Sequence, residues 1–177
     1  ERWSGALRAV LDRHPWEHSF GPVFAHYDAS LFSRLTPKHF ALLGLAVKVH
    51  FPETAGELAG LARQFAEEGH PEVGFEYLAA WLYFHELAHT GVSLPGGVEP
   101  RECTGILANA ADGSVLHAAN MDQAPLQVRN LTIRVRFLDA ANRTVFEGVD
   151  WYTLLSTGVS RAVRRGCVSL QENWRHA

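Results

Sequence analysis

The chain has 177 residues, of which 47% are hydrophobic and 20% charged; this balance sustains a buried core and excludes a segment kept disordered by its polarity. A formal net charge of -3, with no basic cluster interleaved with aromatics, argues against a nucleic-acid partner. No apolar run approaches the roughly 20 residues needed to span a bilayer, and the ten histidines would turn this slightly acidic chain basic in an acidic compartment.

In chain order, Glu1 to His14 reads as an amphipathic helix, with Trp3, Leu7, Val10 and Leu11 near a helical period. Its stripe is expected to pack on the core rather than rest on lipid. Pro15 to Asp28 carries turn residues and ends in His26-Tyr27-Asp28, where we expect a hydrogen-bonded structural pair of His and Asp. Helices are predicted over Ala29 to Leu35, Pro37 to Phe51 and Thr54 to Glu68, punctuated by Pro37, Pro52 and Gly69-His70-Pro71. Pro37 suits a first helical position after Thr36, and Thr54 with Glu57 spells a capping box. Leu42, Leu43, Leu45, Ala46, Val47 and Val49 nearly encircle the second of these helices. That pattern predicts burial in protein, with lipid contact as the alternative.

A further helix is predicted from Glu72 to Thr90, carrying Phe75, Leu78, Ala79, Leu82 and Leu87. Inside it His85-Glu86-Leu87-Ala88-His89 is a full H-E-x-x-H, which on a helix sets two imidazoles on one face for zinc and offers the glutamate as base. A third ligand is needed, yet Val92 and Pro95 stand where the extended motif has Gly and His, and Pro95-Gly96-Gly97 and Pro100 break the chain. We therefore expect no metal, and a zinc metalloprotease ranks last among the readings. Gly91 to Glu102 is rich in Gly and Pro, as an exposed linker or an ordinary surface loop would be.

The stretch from Glu102 to Asp122 organises the second half of the chain. Ile106, Leu107, Val115 and Leu116 flank a polar turn, Asn109 to Ser114, with Asp112-Gly113 as the hairpin signal. Antiparallel pairing would bring Cys103, at the head of the first strand, close to Asp122, just past the second. A cut between Glu102 and Cys103 would free an α-amino group, with a pKa of about 7.7 to 8.0, able to take the thiol proton. The carboxylate would hold the resulting ammonium. Beyond it, alternation over Leu131 to Leu138 and Thr144 to Val149 predicts strands joined by a turn at Asp139 to Asn142, with another strand through Cys167 to Gln171. Arg134 and Arg136 share a strand face, either solvated or meeting an anionic partner. Helices first and antiparallel strands afterwards make an α+β class.

Cys103 and Cys167 are the two cysteines; they can form one disulfide, but the thiol chemistry requires Cys103 free. Two sequons, Asn130-Leu131-Thr132 and Asn142-Arg143-Thr144, fit passage through the secretory route and glycosylation of Asn130 and Asn142. Without a signal peptide, the start at Glu1 reads as an already trimmed product.

Cys103-Thr104-Gly105-Ile106, a turn, and His117-Ala118-Ala119-Asn120-Met121-Asp122 resemble the N-terminal nucleophile hydrolases of the choloylglycine hydrolase superfamily, and within it the N-acylethanolamine acid amidase and acid ceramidase branch, which carries a long pro-region before its cysteine. Phe24-Ala25-His26-Tyr27-Asp28, Phe84-His85-Glu86-Leu87, Asn130 to Leu138, Asn142 to Phe146 and Thr157-Gly158 are similar to further elements of that branch. The family's arginine falls on Ala119, and its later Asn-Glu-Arg on Asn173-Trp174-Arg175.

The resemblance implies a helical pro-region over 1–102, which becomes the α subunit, and the start of a catalytic β subunit over 103–177 as an incomplete αββα layered fold. It implies a lysosomal or secreted cysteine amidase acting on lipid amides at a lipid surface, without a cofactor. Cys103 is the nucleophile, Asp122 its catalytic partner, and Asn120 and Asn173 are candidate substrate-binding residues. The alternative is a catalytically impaired relative or fragment that keeps the fold and the lipid surface.

Overall fold

The computed structural model describes residues 5–84, 87, 104–120, 125–152, 161–164 and 168–171. Among them, α1 (Ala6–Arg13), α2 (Phe20–Ser30), α3 (Pro37–His50), α4 (Pro52–Glu67) and α5 (Phe75–Leu82) precede β1 (Thr104–Asn109), β2 (Val115–Asn120), β3 (Thr132–Leu138), β4 (Thr144–Trp151), β5 (Arg161–Arg164) and β6 (Val168–Gln171). β1 and β2 form a separate hairpin, and β3 to β6 an antiparallel sheet in sequential order. The arrangement is mixed α+β, helices before strands.

One core joins the helices to the second sheet. Leu7 and Val10 from α1, Phe20 and Phe24 from α2, Leu61 and Phe65 from α4, and Leu78 and Trp81 from α5 are buried with Leu131, Val135, Trp151 and Tyr152. Aromatic rings meet there mostly edge to face, with Phe20 and Phe65 centroids 5.2 Å apart and Tyr27 and Trp81 4.7 Å apart. This geometry sets positive ring edges against negative faces. Losing one such ring, as in Phe65→Ala, costs about 3 to 5 kcal/mol through lost transfer energy and the remaining cavity. Tyr152 also donates a 3.0 Å hydrogen bond to Gln64 Oε1, fastening the end of β4 to α4.

Several helices differ from the sequence expectation. The segment read as turns up to Asp28, followed by a helix over Ala29 to Leu35, is instead α2 from Phe20 to Ser30 and a 3-10 turn at Phe32–Arg34. Pro22 lies in the first turn of α2, where a missing N–H costs no intrahelical bond. Thr54 does not cap α4: Pro52 stands at the first helical position, and the chain enters through Phe51. At α3 the Thr36-Pro37 start is as expected, and His39 Nδ1 accepts the Thr36 N–H at 3.1 Å in a capping box.

The expected burial of α3 all round does not hold. Gly44 and Val47 are buried, whereas Leu42, Leu45 and Val49 are 52%, 55% and 62% exposed. Gly44 allows close packing on α5: a Cβ there would stand 3.3 Å from the Phe75 ring. One side of α3 is thereby used, and the described residues offer no second layer to cover the other.

Candidate functional site

The hairpin β1–β2 forms where Asp112-Gly113 can turn the chain. Gly113 takes φ +81°, a left-handed value that glycine adopts without steric cost. The Asp112 carboxylate accepts the Ser114 N–H at 2.9 Å and the Ser114 hydroxyl at 2.6 Å. The hydroxyl and then the backbone bond hold the Asp112 carboxyl below the usual carboxylate range. Ala110 N–H to the Ser114 carbonyl, 2.8 Å, closes the loop.

The register runs Thr104 with Asn120, Gly105 with Ala119, Ile106 with Ala118 and Leu107 with His117. The first residue of β1 is therefore directly opposite the last of β2. In sequence these two residues adjoin Cys103 and precede Asp122 by two positions, respectively. Glu102, Cys103, Asp122 and Asn173 themselves lie outside the described residues, as do Cys167 and the H-E-x-x-H residues His85, Glu86 and His89. Of the sequence-derived site, Asn120 is the strand residue paired with Thr104. Asn130 is the penultimate residue of a 3-10 turn, Leu126–Leu131, and Asn142 stands in the turn between β3 and β4.

Ile106 and Leu107 are 57% and 68% exposed, and Val115 and Leu116 64% and 59%. Because neighbouring residues in a strand point to opposite faces, both faces of the hairpin carry exposed apolar side chains. No group of three or more His, Cys, Asp or Glu positioned for a metal occurs among the described residues. Among those residues no helix is long and apolar enough to cross a membrane.

The triplet His26-Tyr27-Asp28 does not form the expected His and Asp pair. Positions two apart on a helix point to nearly opposite sides, since each residue advances about 100°. Asp28 accepts instead from Tyr77 Oη at 2.9 Å, between α2 and α5. Sequence reasoning misses this pair, and also the 2.7 Å bond from Asn130 Nδ2 to the His18 carbonyl, 112 residues away in the chain. Neither has a local signal. No protein-family model, curated protein or solved structure matches the chain.

Proposed function

We propose that this chain is a cysteine amidase of the N-terminal nucleophile kind, hydrolysing lipid amides such as N-acylethanolamines or ceramide after scission between Glu102 and Cys103. The observation that supports the reading best is the hairpin register, Thr104 opposite Asn120, which is the alignment needed if a thiol before one strand and a carboxylate after the other are to act together. Freed by scission, the Cys103 α-amino group accepts the thiol proton, and the sulfur attacks the amide carbonyl. The amino group returns that proton to the departing amine, then serves as base while water hydrolyses the thioester. Asp122 orients the ammonium; Asn120 and Asn173 contact the substrate. The two products of scission stay together as α and β subunits of one lysosomal or secreted precursor.

A lipid surface as partner is supported by the exposed stripe of Leu42, Leu45 and Val49. A second reading, an impaired relative, is favoured by two residues: Ala119 stands at the family's arginine position and Trp174 at its glutamate. Incubation at acidic pH followed by a denaturing gel tests the first. Two fragments are expected, with peptide mapping finding a thiol-directed acylating probe on Cys103, and neither effect at that position in Cys103→Ala. Scission that persists in Cys103→Ala would end the proposal. Scission and labelling without turnover of a lipid amide would select the impaired relative.

A further inference from the structure

The two sequons occupy unlike places, and the difference sorts them. Asn142 sits at the tip of the β3–β4 hairpin with φ +61°, a conformation asparagine tolerates better than most side chains. The turn is closed by its neighbours. Asn142 N–H donates to the Asp139 carbonyl at 2.9 Å, and the Asp139 carboxylate accepts from Ala141 N–H, Arg143 N–H and Arg143 Nε. None of these bonds uses the Asn142 carboxamide, and Asn142, Arg143 and Thr144 are all exposed. The turn is local, so it presents the same tripeptide whether or not distant parts of the chain have folded.

Asn130 is half-buried and its carboxamide is engaged. Its Nδ2 donates a 2.7 Å bond to the His18 carbonyl, and its sequence neighbours Val128 and Leu131 are buried, 3% and 0% exposed. A sugar on Nδ2 would have to share that nitrogen with the carbonyl that ties the Leu126–Leu131 turn to the Trp16–His18 turn just before α2.

We propose that Asn142 is the N-glycosylated residue of this chain and that Asn130 stays unmodified as a structural strut. The inference rests on the secretory routing contained in the proposed function, not on catalysis. A lipid-linked oligosaccharide diphosphate supplies the sugar. Asn142 Nδ2 forms a bond to the anomeric carbon as the bond from that carbon to the diphosphate oxygen breaks; Nδ2 loses one proton, and the diphosphate leaves with the electron pair.

The test is secretion from a eukaryotic host with an added signal peptide and a flexible tail bearing its own sequon, so that tail modification marks every chain that reached the secretory lumen. Among marked chains, peptide mapping after enzymatic deglycosylation should find Asn142 converted to Asp and Asn130 intact. Asn142→Gln should remove the remaining mobility shift, and Asn130→Gln should leave it. A shift retained in Asn142→Gln, conversion at Asn130, or marked chains bare at both positions would each overturn the proposal. Repeating the mapping on Cys103→Ala separates this outcome from the fate of the amidase reading, since glycosylation is expected there unchanged.

Discussion

Tyr77 Oη donates a 2.9 Å hydrogen bond to Asp28, joining α5 to α2 across 49 residues. Burial raises the Asp28 carboxyl above its ordinary range, and the Tyr77 bond pulls the other way. The folded chain thus holds a proton on Asp28 at pH values where the unfolded chain has released it. Stability from this group is present at low pH and falls as pH rises from the ordinary carboxylate value, about 3.9, through the raised folded one. Asp28→Asn keeps an acceptor for Tyr77 and removes the charge. Urea midpoints should therefore show Asp28→Asn gaining on the natural chain as pH rises through that window; a constant difference refutes the assignment. Tyr77→Phe should cost about 1 kcal/mol, the usual net worth of such a bond.

His26, on the same helix, titrates with the opposite sign. Burial lowers its imidazole below the ordinary value, so the unfolded chain binds the proton first. Stability from this group is intact above about pH 6.5 and declines as pH falls toward the lowered folded value. His26→Gln should remove that decline. Thermal melts of both chains between about pH 7 and pH 5 check it, and equal slopes would discount His26 as an acid-sensitive position.

Gly21 is a packing requirement rather than a flexible joint. A Cβ built there stands 2.9 Å from Trp16 Nε1 and 3.0 Å from the Trp16 backbone oxygen. In an unhindered helix Gly→Ala gains about 1 kcal/mol, but here the backbone contact cannot be relieved by a rotamer change. Trp16 is also fixed by its stack on His70, ring centroids 3.4 Å apart. Gly21→Ala should lose about 1 to 3 kcal/mol, the cost of an overpacked core, read from denaturant midpoints. A stabilised variant would mean that the Trp16 loop yields freely.

The parts legible in the sequence were those written by local chemistry. Asp112-Gly113 announced the first hairpin, and the alternation through Val135 and Phe137 announced β3. The stripe Phe20, Val23, Phe24 and Tyr27, now the buried face of α2, is also present at helical spacing, but it lies in Pro15 to Asp28, which carries turn residues, Gly21 and Pro22 among them. Both residues fit the first turn of the helix, where Pro22 forgoes no intrahelical bond and Gly21 admits Trp16. What stayed hidden depends on residues far apart: the Tyr77 bond to Asp28, the Asn130 bond to His18, and the short β5, whose pairing with β4 runs only from Glu147 to Val149. The exposure of α3 was equally unreadable, because an apolar helix surface does not state how many layers pack against it.

That surface gives a direct test of the lipid partner. Leu42, Leu45 and Val49 recur at intervals of three and four residues, which places them along one stripe. Leu45 is 55% exposed, so a charge there disturbs little of the core, and Leu45→Glu should alter folding stability by no more than about 0.5 kcal/mol. If the stripe enters a lipid surface, the same change forfeits about 1.5 to 3 kcal/mol of apolar transfer energy. Because about 1.4 kcal/mol is a factor of ten in an equilibrium constant, sedimentation with anionic vesicles at acidic pH should weaken at least tenfold. Unchanged sedimentation of a stably folded Leu45→Glu would remove α3 from the lipid contact and leave its apolar side without that role.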